Sequence, residues 1–180
     1  MMKYLSQTVD LELTLEADGE ENEILCDWYP DAAFAVHPDC KSHTGAVLTL
    51  GKGAVITISA KQKLNTRSST EAELVAVDDV VVQAMWTRNF LEGQGYKVKT
   101  TVFQDNTSTI LLAENGKESS SKRTRHINIR YFYITDCINK NYARVKYCPT
   151  DDMVGDFPSK PLIGKKFRKH RKTMLNLEKE

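Results

Sequence analysis

The stretch GAVLTLGKGAVITISAK, Gly45 to Lys61, holds two runs rich in β-branched residues separated only by Gly51-Lys52-Gly53. A break that short between two strand-like runs is a hairpin signal, and it is the strongest in the chain. Ahead of it, ILCDWYPDAAFAV is an apolar and aromatic run closed by HPDCKSHTG, which reads as a strand and a turn. Three antiparallel strands follow. Next, SSTEAELVAVDDVVVQAMWTRNFLEGQG sets Leu74, Val77, Val81, Ala84, Met85 and Arg88 on one helical stripe that Gly93 and Gly95 end. The spacing predicts a long helix lying against the sheet. KVKTTVFQD is a fourth strand, NTSTILLAEN a short helix and KESSSKRTR a polar basic loop. INIRYFYITDCINKN is expected to be helical despite its β-branched and aromatic residues, because Ile127, Tyr131, Ile134 and Ile138 keep a three-to-four spacing. ARVKYC is a fifth strand, PTDDMVGDFPSKPL opens with a helix-start signal and stops at prolines, and KKFRKHRKTMLNLEKE is a basic helix.

The chain has 180 residues, 41% of them hydrophobic, which suffices for one well-buried core. Its net charge of +1 conceals an uneven distribution, since Asp10 to Glu23 is acidic and Lys165 to Lys172 almost wholly basic. Cys26, Cys40, Cys137 and Cys148 show no metal-like or redox-like spacing, and no leader with a basic start and apolar middle is present, so a reducing compartment is expected. No apolar run approaches membrane-spanning length. Residues 1–23 read as a linker with little of its own to bury, 24–162 as the α/β domain, and 163–180 as the basic helix, whose charge suggests a solvated face.

An Asp at a strand end is ordinarily a turn former or helix cap, and Asp105 taken alone is no more than that. Asp31 ends the first strand and Asp156 lies near the start of a late helix. If the first and fourth strands are adjacent and parallel, Asp31 and Asp105 enter one cleft at the strand ends, where ligand sites of open α/β sheets lie. Such a cluster repels itself unless compensated, and a divalent cation is the usual compensation. Glu71 and Glu73 flank the helical stripe on opposite sides. A Ser68 N-cap would engage Glu71 in a capping box and free Glu73, while Thr70 with Glu73 fits the same pattern, so spacing leaves the choice open.

Four motifs in order, RSSTEAELVA, FQDNTSTILLAEN, KRTRHINIRYFYI and CPTDDMVGDFPSKPL, resemble the ribonuclease H domain of copia-type retrotransposon polyproteins from about Tyr29 to about Lys169. The opening MMKYLSQTVDLELTL resembles the segment joining reverse transcriptase to that domain. The resemblance implies a ribonuclease H-like fold, with three antiparallel strands followed by two parallel ones in a mixed sheet flanked by helices. It also implies four catalytic, metal-binding acids: Asp31 in YPDAAFA, Glu73 as the second Glu of STEAE, Asp105 in the family's CDN position with Gln104 replacing Cys, and Asp156 in GDFPSKPL. Pro30 and Pro158-Ser159 depart from the family pattern and bear on strand pairing and on the aim of two ligands.

The implied activity is cleavage of the RNA strand of an RNA–DNA hybrid during reverse transcription, leaving a 3′-hydroxyl and a 5′-phosphate. Two Mg²⁺ ions, replaceable by Mn²⁺, would lie about 3.5–4 Å apart. Asp31 would bridge them, Asp105 and Glu73 would hold one, and Asp156 the other. Related enzymes carry a histidine near the last strand, and none lies between Cys148 and Asp156; His126 is the substitute by motif. With it, Lys122, Arg123, Arg125 and Arg130 are candidate phosphate contacts. The implied partners are the hybrid and the polymerase domain of the same polyprotein, with no membrane, in the cytoplasm, a virus-like particle or the nucleus. An inactive remnant that folds and binds nucleic acid is the competing expectation. A transposase or resolvase on duplex DNA is disfavoured by STEAE with GDFPSKPL.

Overall fold

The computed structural model describes residues 2–116 and 128–177, and side-chain surroundings for all of these but 128–132. The elements run α1 (Met2–Ser6), β1 (Glu16–Ala17), β2 (Glu23–Ala33), β3 (His43–Thr49), β4 (Gly51–Lys52), β5 (Ile56–Lys61), α2 (Ser69–Glu92), β6 (Lys97–Gln104), α3 (Thr107–Asn115), α4 (Asn128–Asn139), β7 (Arg144–Tyr147), α5 (Asp156–Ser159) and α6 (Gly164–Leu175). Five strands form one mixed sheet in the order β5-β3-β2-β6-β7. β2, β3 and β5 are antiparallel, whereas β6 joins β2 and β7 joins β6 in parallel. The expected sheet is therefore the observed one. The short pair β1–β4 is an addition at the hairpin turn.

The core follows the period-two alternation of the strands. Cys26 and Trp28 of β2, Ala46 and Leu48 of β3 and Val102 of β6 pack against Leu74, Val77, Val81, Ala84 and Met85 of α2, with Ala113 of α3 and Ile134 of α4 completing the cluster. Ile134 shows why α4 forms against its own β-branched content: the burial of an apolar face outweighs weak intrinsic propensity. Gly45, next to Ala46, faces the other way. A Cβ there would stand 2.5 Å from the Ser159 amide nitrogen and 2.7 Å from the Gly155 carbonyl oxygen, so only glycine lets α5 lie this close to β3.

Pro30 does not interrupt pairing. β2 stays in register with β3 from Asp27↔Thr49 to Ala33↔His43, and its parallel pairing with β6 is already over at Trp28↔Val102. Pro158 falls in the first turn of α5, where a missing N–H removes no helical hydrogen bond.

The basic C-terminal helix differs from its expected role as a solvated face. Phe167 of α6 stacks on Phe157 at 5.1 Å and meets Tyr4 edge-on at 5.8 Å, and His170 is only 1% exposed. Phe167, His170 and Met174, spaced three and four apart, give the helix one packed side among its charges. Among the described residues no helix is long and apolar enough to cross a membrane.

Candidate metal centre

The parallel register of β2 and β6 aligns two of the acids. Asp31 lies three residues beyond Trp28, and Asp105 three beyond Val102, its partner across the pair. Two parallel neighbours thus deliver their carboxylates at one level of the sheet end. Glu73 comes from the second turn of α2. Ser68 caps that helix, its Oγ accepting from the Glu71 N–H at 3.2 Å, while the Glu71 carboxylate accepts from the Arg67 N–H at 2.6 Å. Capping engages Glu71 and leaves Glu73 to the sheet.

Ligand oxygens of Asp31, Glu73 and Asp105 all lie within 4.8 Å of one another. Around an octahedral ion with bonds of 2.0–2.1 Å, neighbouring ligands are about 2.9 Å apart and opposite ones about 4.2 Å, so the three oxygens would draw closer together to share one dication. An all-carboxylate donor set is hard, which fits Mg²⁺ or Mn²⁺ rather than a thiophilic metal. The electrostatics agree with that chemistry. Burial, with the charges of Asp31 and Asp105, pushes the Glu73 carboxyl up to about 9 despite hydrogen bonds from the Ala32 backbone and Gln104. Burial likewise raises Asp31, against the opposing pull of Lys160 and Ser159.

Asp156 stands outside the three-acid group. It is fully buried at the first position of α5, and Lys160 and Lys166 hold its two oxygens. Burial alone would raise its carboxyl, but hydrogen bonds from these two ammonium groups hold it below the usual carboxylate range. Lys160 Nζ is also 3.1 Å from Asp31 Oδ1, and Ser159 Oγ donates to Asp31 Oδ2. The fourth acid is therefore tied to the cluster through a lysine.

Three further contributors carry no catalytic signature in the sequence. Gln104 is completely buried; its Oε1 accepts from the Asp105 and Asn106 N–H groups at 2.8 and 3.0 Å, and its Nε2 donates to Glu73 Oε2 at 3.3 Å. It orients Asp105 and Glu73 together, which a cysteine at that position would not do through two backbone amides. Thr150 Oγ1 donates to Asp105 Oδ2 at 2.9 Å. Lys160 sits within the SKPL motif, yet only the fold reveals that it faces two acids. Lys122, Arg123, Arg125 and His126 lie outside the described residues, as does the side chain of Arg130, whose backbone belongs to α4.

A scan of protein-family profiles finds none that matches the chain. Over 141 residues, 77% of its length, it is 32% identical to the retrovirus-related Pol polyprotein from transposon TNT 1-94 of Nicotiana tabacum, of which it covers 10%. It is 29% identical over 165 residues, 90% of its length, to the retrovirus-related Pol polyprotein from transposon RE2 of Arabidopsis thaliana, covering 11% of that protein. The chain spans about a tenth of the length of these relatives. Among solved structures, the N-terminal RNase H domain of rv2228c from Mycobacterium tuberculosis aligns with a TM-score of 0.52 at 10% identity, over 83% of this chain and 97% of that one. The chain is thus a homologue of a segment of retrotransposon Pol polyproteins, built on the ribonuclease H fold.

Proposed function

We propose that the protein is the ribonuclease H domain of a copia-type element and cuts the RNA strand of RNA–DNA hybrids in a reaction that needs Mg²⁺ or Mn²⁺. The observation carrying this reading is the meeting of Asp31, Glu73 and Asp105, brought from two strands and a helix to within 4.8 Å at the sheet end. Such a cluster is costly without a dication, and the buried Gln104 and the surface Thr150 together orient it.

Bound divalent ions supply an activated water and charge neutralisation at the scissile phosphate. Asp31, Glu73 and Asp105 would hold one ion, and Asp31 also contacts the Lys160 that binds Asp156. Gln104 keeps Asp105 and Glu73 aimed. Asp156, now paired with Lys160 and Lys166, would be the residue to hold a second ion. The basic segment of Lys122, Arg123, Arg125 and His126, with Arg130 of α4, grips hybrid phosphates, and the 2′-hydroxyls of the RNA strand provide discrimination. Residues 1–23 would be the connection to a polymerase domain of the same polyprotein.

A 5′-labelled RNA annealed to DNA, incubated with the protein in Mg²⁺ and separately in chelator, tests the proposal. Internal cuts in the RNA with Mg²⁺ only, and none in duplex DNA, are the expected result. The lysines on Asp31 and Asp156 favour a second reading, an inactive remnant in which ammonium groups have replaced metal. Hybrid binding without cleavage in either Mg²⁺ or Mn²⁺ would establish that reading and overturn the first.

A further inference from the structure

A second set of metal-ligating side chains meets at the turn between β2 and β3, apart from the carboxylate cluster. The turn is closed by the Cys40 N–H donating to the His37 carbonyl at 2.8 Å and the His37 N–H donating to the Lys41 carbonyl at 3.1 Å. This returns His37 over His43, the first residue of β3. His37 Nε2 and His43 Nδ1 stand 3.1 Å apart, with the rings 5.2 Å between centroids and tilted by 44°. Both residues are half-buried and reachable from solvent.

The tautomer of His43 follows from its other nitrogen. Ser59 Oγ has one proton, which it donates to the Pro158 carbonyl at 2.9 Å. At 2.9 Å from His43 Nε2, the same oxygen must therefore accept from Nε2–H. The lone pair of His43 is left on Nδ1, facing His37 Nε2. Burial first, and His37 second, lower the titration of His43 from the usual imidazole range.

We propose that His37 Nε2 and His43 Nδ1 chelate a first-row transition-metal dication of the Zn²⁺, Ni²⁺ or Cu²⁺ kind. An ion 2.0–2.1 Å from each of two nitrogens at this separation makes an N–metal–N angle of about 100°, between octahedral and tetrahedral values. With its proton on Nδ1, His37 would offer a lone pair on Nε2, and small ring rotations would turn both lone pairs from each other toward a shared ion. Ser59 and the Pro158 carbonyl form the outer chain that orients a ligating histidine, as metal sites ordinarily require. Neutral imidazoles prefer these ions to Mg²⁺, so the pair and the carboxylate cluster select different metals. Pro158 belongs to α5, which carries Asp156, so the bound ion also braces the segment bearing the fourth acid.

The test is calorimetric titration of the full chain with Zn²⁺ in excess Mg²⁺, which keeps the carboxylate cluster filled, together with Cu²⁺ electron paramagnetic resonance. One Zn²⁺ site that Mg²⁺ does not displace, and Cu²⁺ spectra with coupling to two nitrogens, are expected. Affinity should fall at least tenfold in His37→Gln and in His43→Gln, about tenfold in Ser59→Ala, and not at all in Asp105→Asn. His37 lies in the turn rather than in a strand, so His37→Gln reports on the site without disturbing β3. A protein with no Mg²⁺-resistant Zn²⁺ site, or with one that survives both histidine substitutions unchanged, overturns the proposal; a plain histidine–histidine hydrogen bond bracing the turn would give the first of these results.

Discussion

Glu71 and Glu73 are two residues apart and meet different fates. Glu71 closes the first turn of α2 by accepting the Arg67 N–H, whereas Glu73 lies beside Asp31 and Asp105 and receives Gln104. Glu73→Gln and Asp105→Asn should each abolish Mg²⁺-dependent hybrid cleavage while leaving the melting temperature in chelator unchanged or higher, because each relieves crowding among carboxylates. Glu71→Gln keeps a capping acceptor and should retain activity with a stability loss below about 1 kcal/mol. Gel assays and thermal melts on the three variants check the ranking, and a Glu71 variant more damaged in activity than the Glu73 variant would refute the assignment. The displaced titration of Glu73 has a further consequence. Its carboxyl is at about 9 in the fold against a reference of 4.5. Between those values the folded chain holds a proton that the unfolded chain has lost, so stability is full below about 4.5 and declines as pH rises through about 9. The raised carboxyl of Asp31 acts in the same sense, while the lowered one of Asp156 stabilises above its unfolded range and is lost on acidification. Metal-free protein should therefore melt progressively lower from about pH 5 to about pH 9, and Glu73→Gln should flatten that decline in scanning fluorimetry.

At the scale of elements, α5 shows how four residues can govern a site. Its approach to β3 depends on Gly45, its first residue is Asp156, and just past its end Lys160 reaches back to both Asp31 and Asp156. Removing Lys160 leaves two buried carboxylates with less compensation, a strongly unfavourable arrangement without another cation. Lys160→Gln should lower the melting temperature in chelator, and added Mn²⁺ should restore more of it than in the unsubstituted protein. Equal metal-induced gains in both would mean that the lysine does not compete with metal. The strands, α2 and α3 are legible from alternation, the Gly51-Lys52-Gly53 break and the Ser68 cap, because those signals are local. The packing of α6 is less so: its charges dominate the composition, and the side holding Phe167 and His170 gains meaning only from Phe157 and Tyr4, which are distant in sequence or in another element.

For the whole molecule, the proposed hybrid recognition would be a question of charge distribution. A net charge of +1 provides little general attraction for nucleic acid, so binding must rest on local basic groups. Replacing Lys122, Arg123 and Arg125 by neutral residues should weaken hybrid binding and flatten the dependence of log K on log salt by about 0.9 for each phosphate that is no longer neutralised. Filter binding across a salt series measures it, and an unchanged slope would remove these three residues from the interface. Through its periodicities, the chain by itself determined the five strands and the long helix, since strand alternation, caps and glycine breaks act over a few residues, while the set of acids was implied only by the family resemblance of its motifs. Only the tertiary structure decided that Gln104 orients two of those acids, that Asp156 is held by Lys160 and Lys166, and that His37 faces His43 across a turn. These arrangements depend on oxygen and nitrogen positions a few ångströms apart on different elements, and no spacing along one chain encodes such distances until sheet register and helix packing set them.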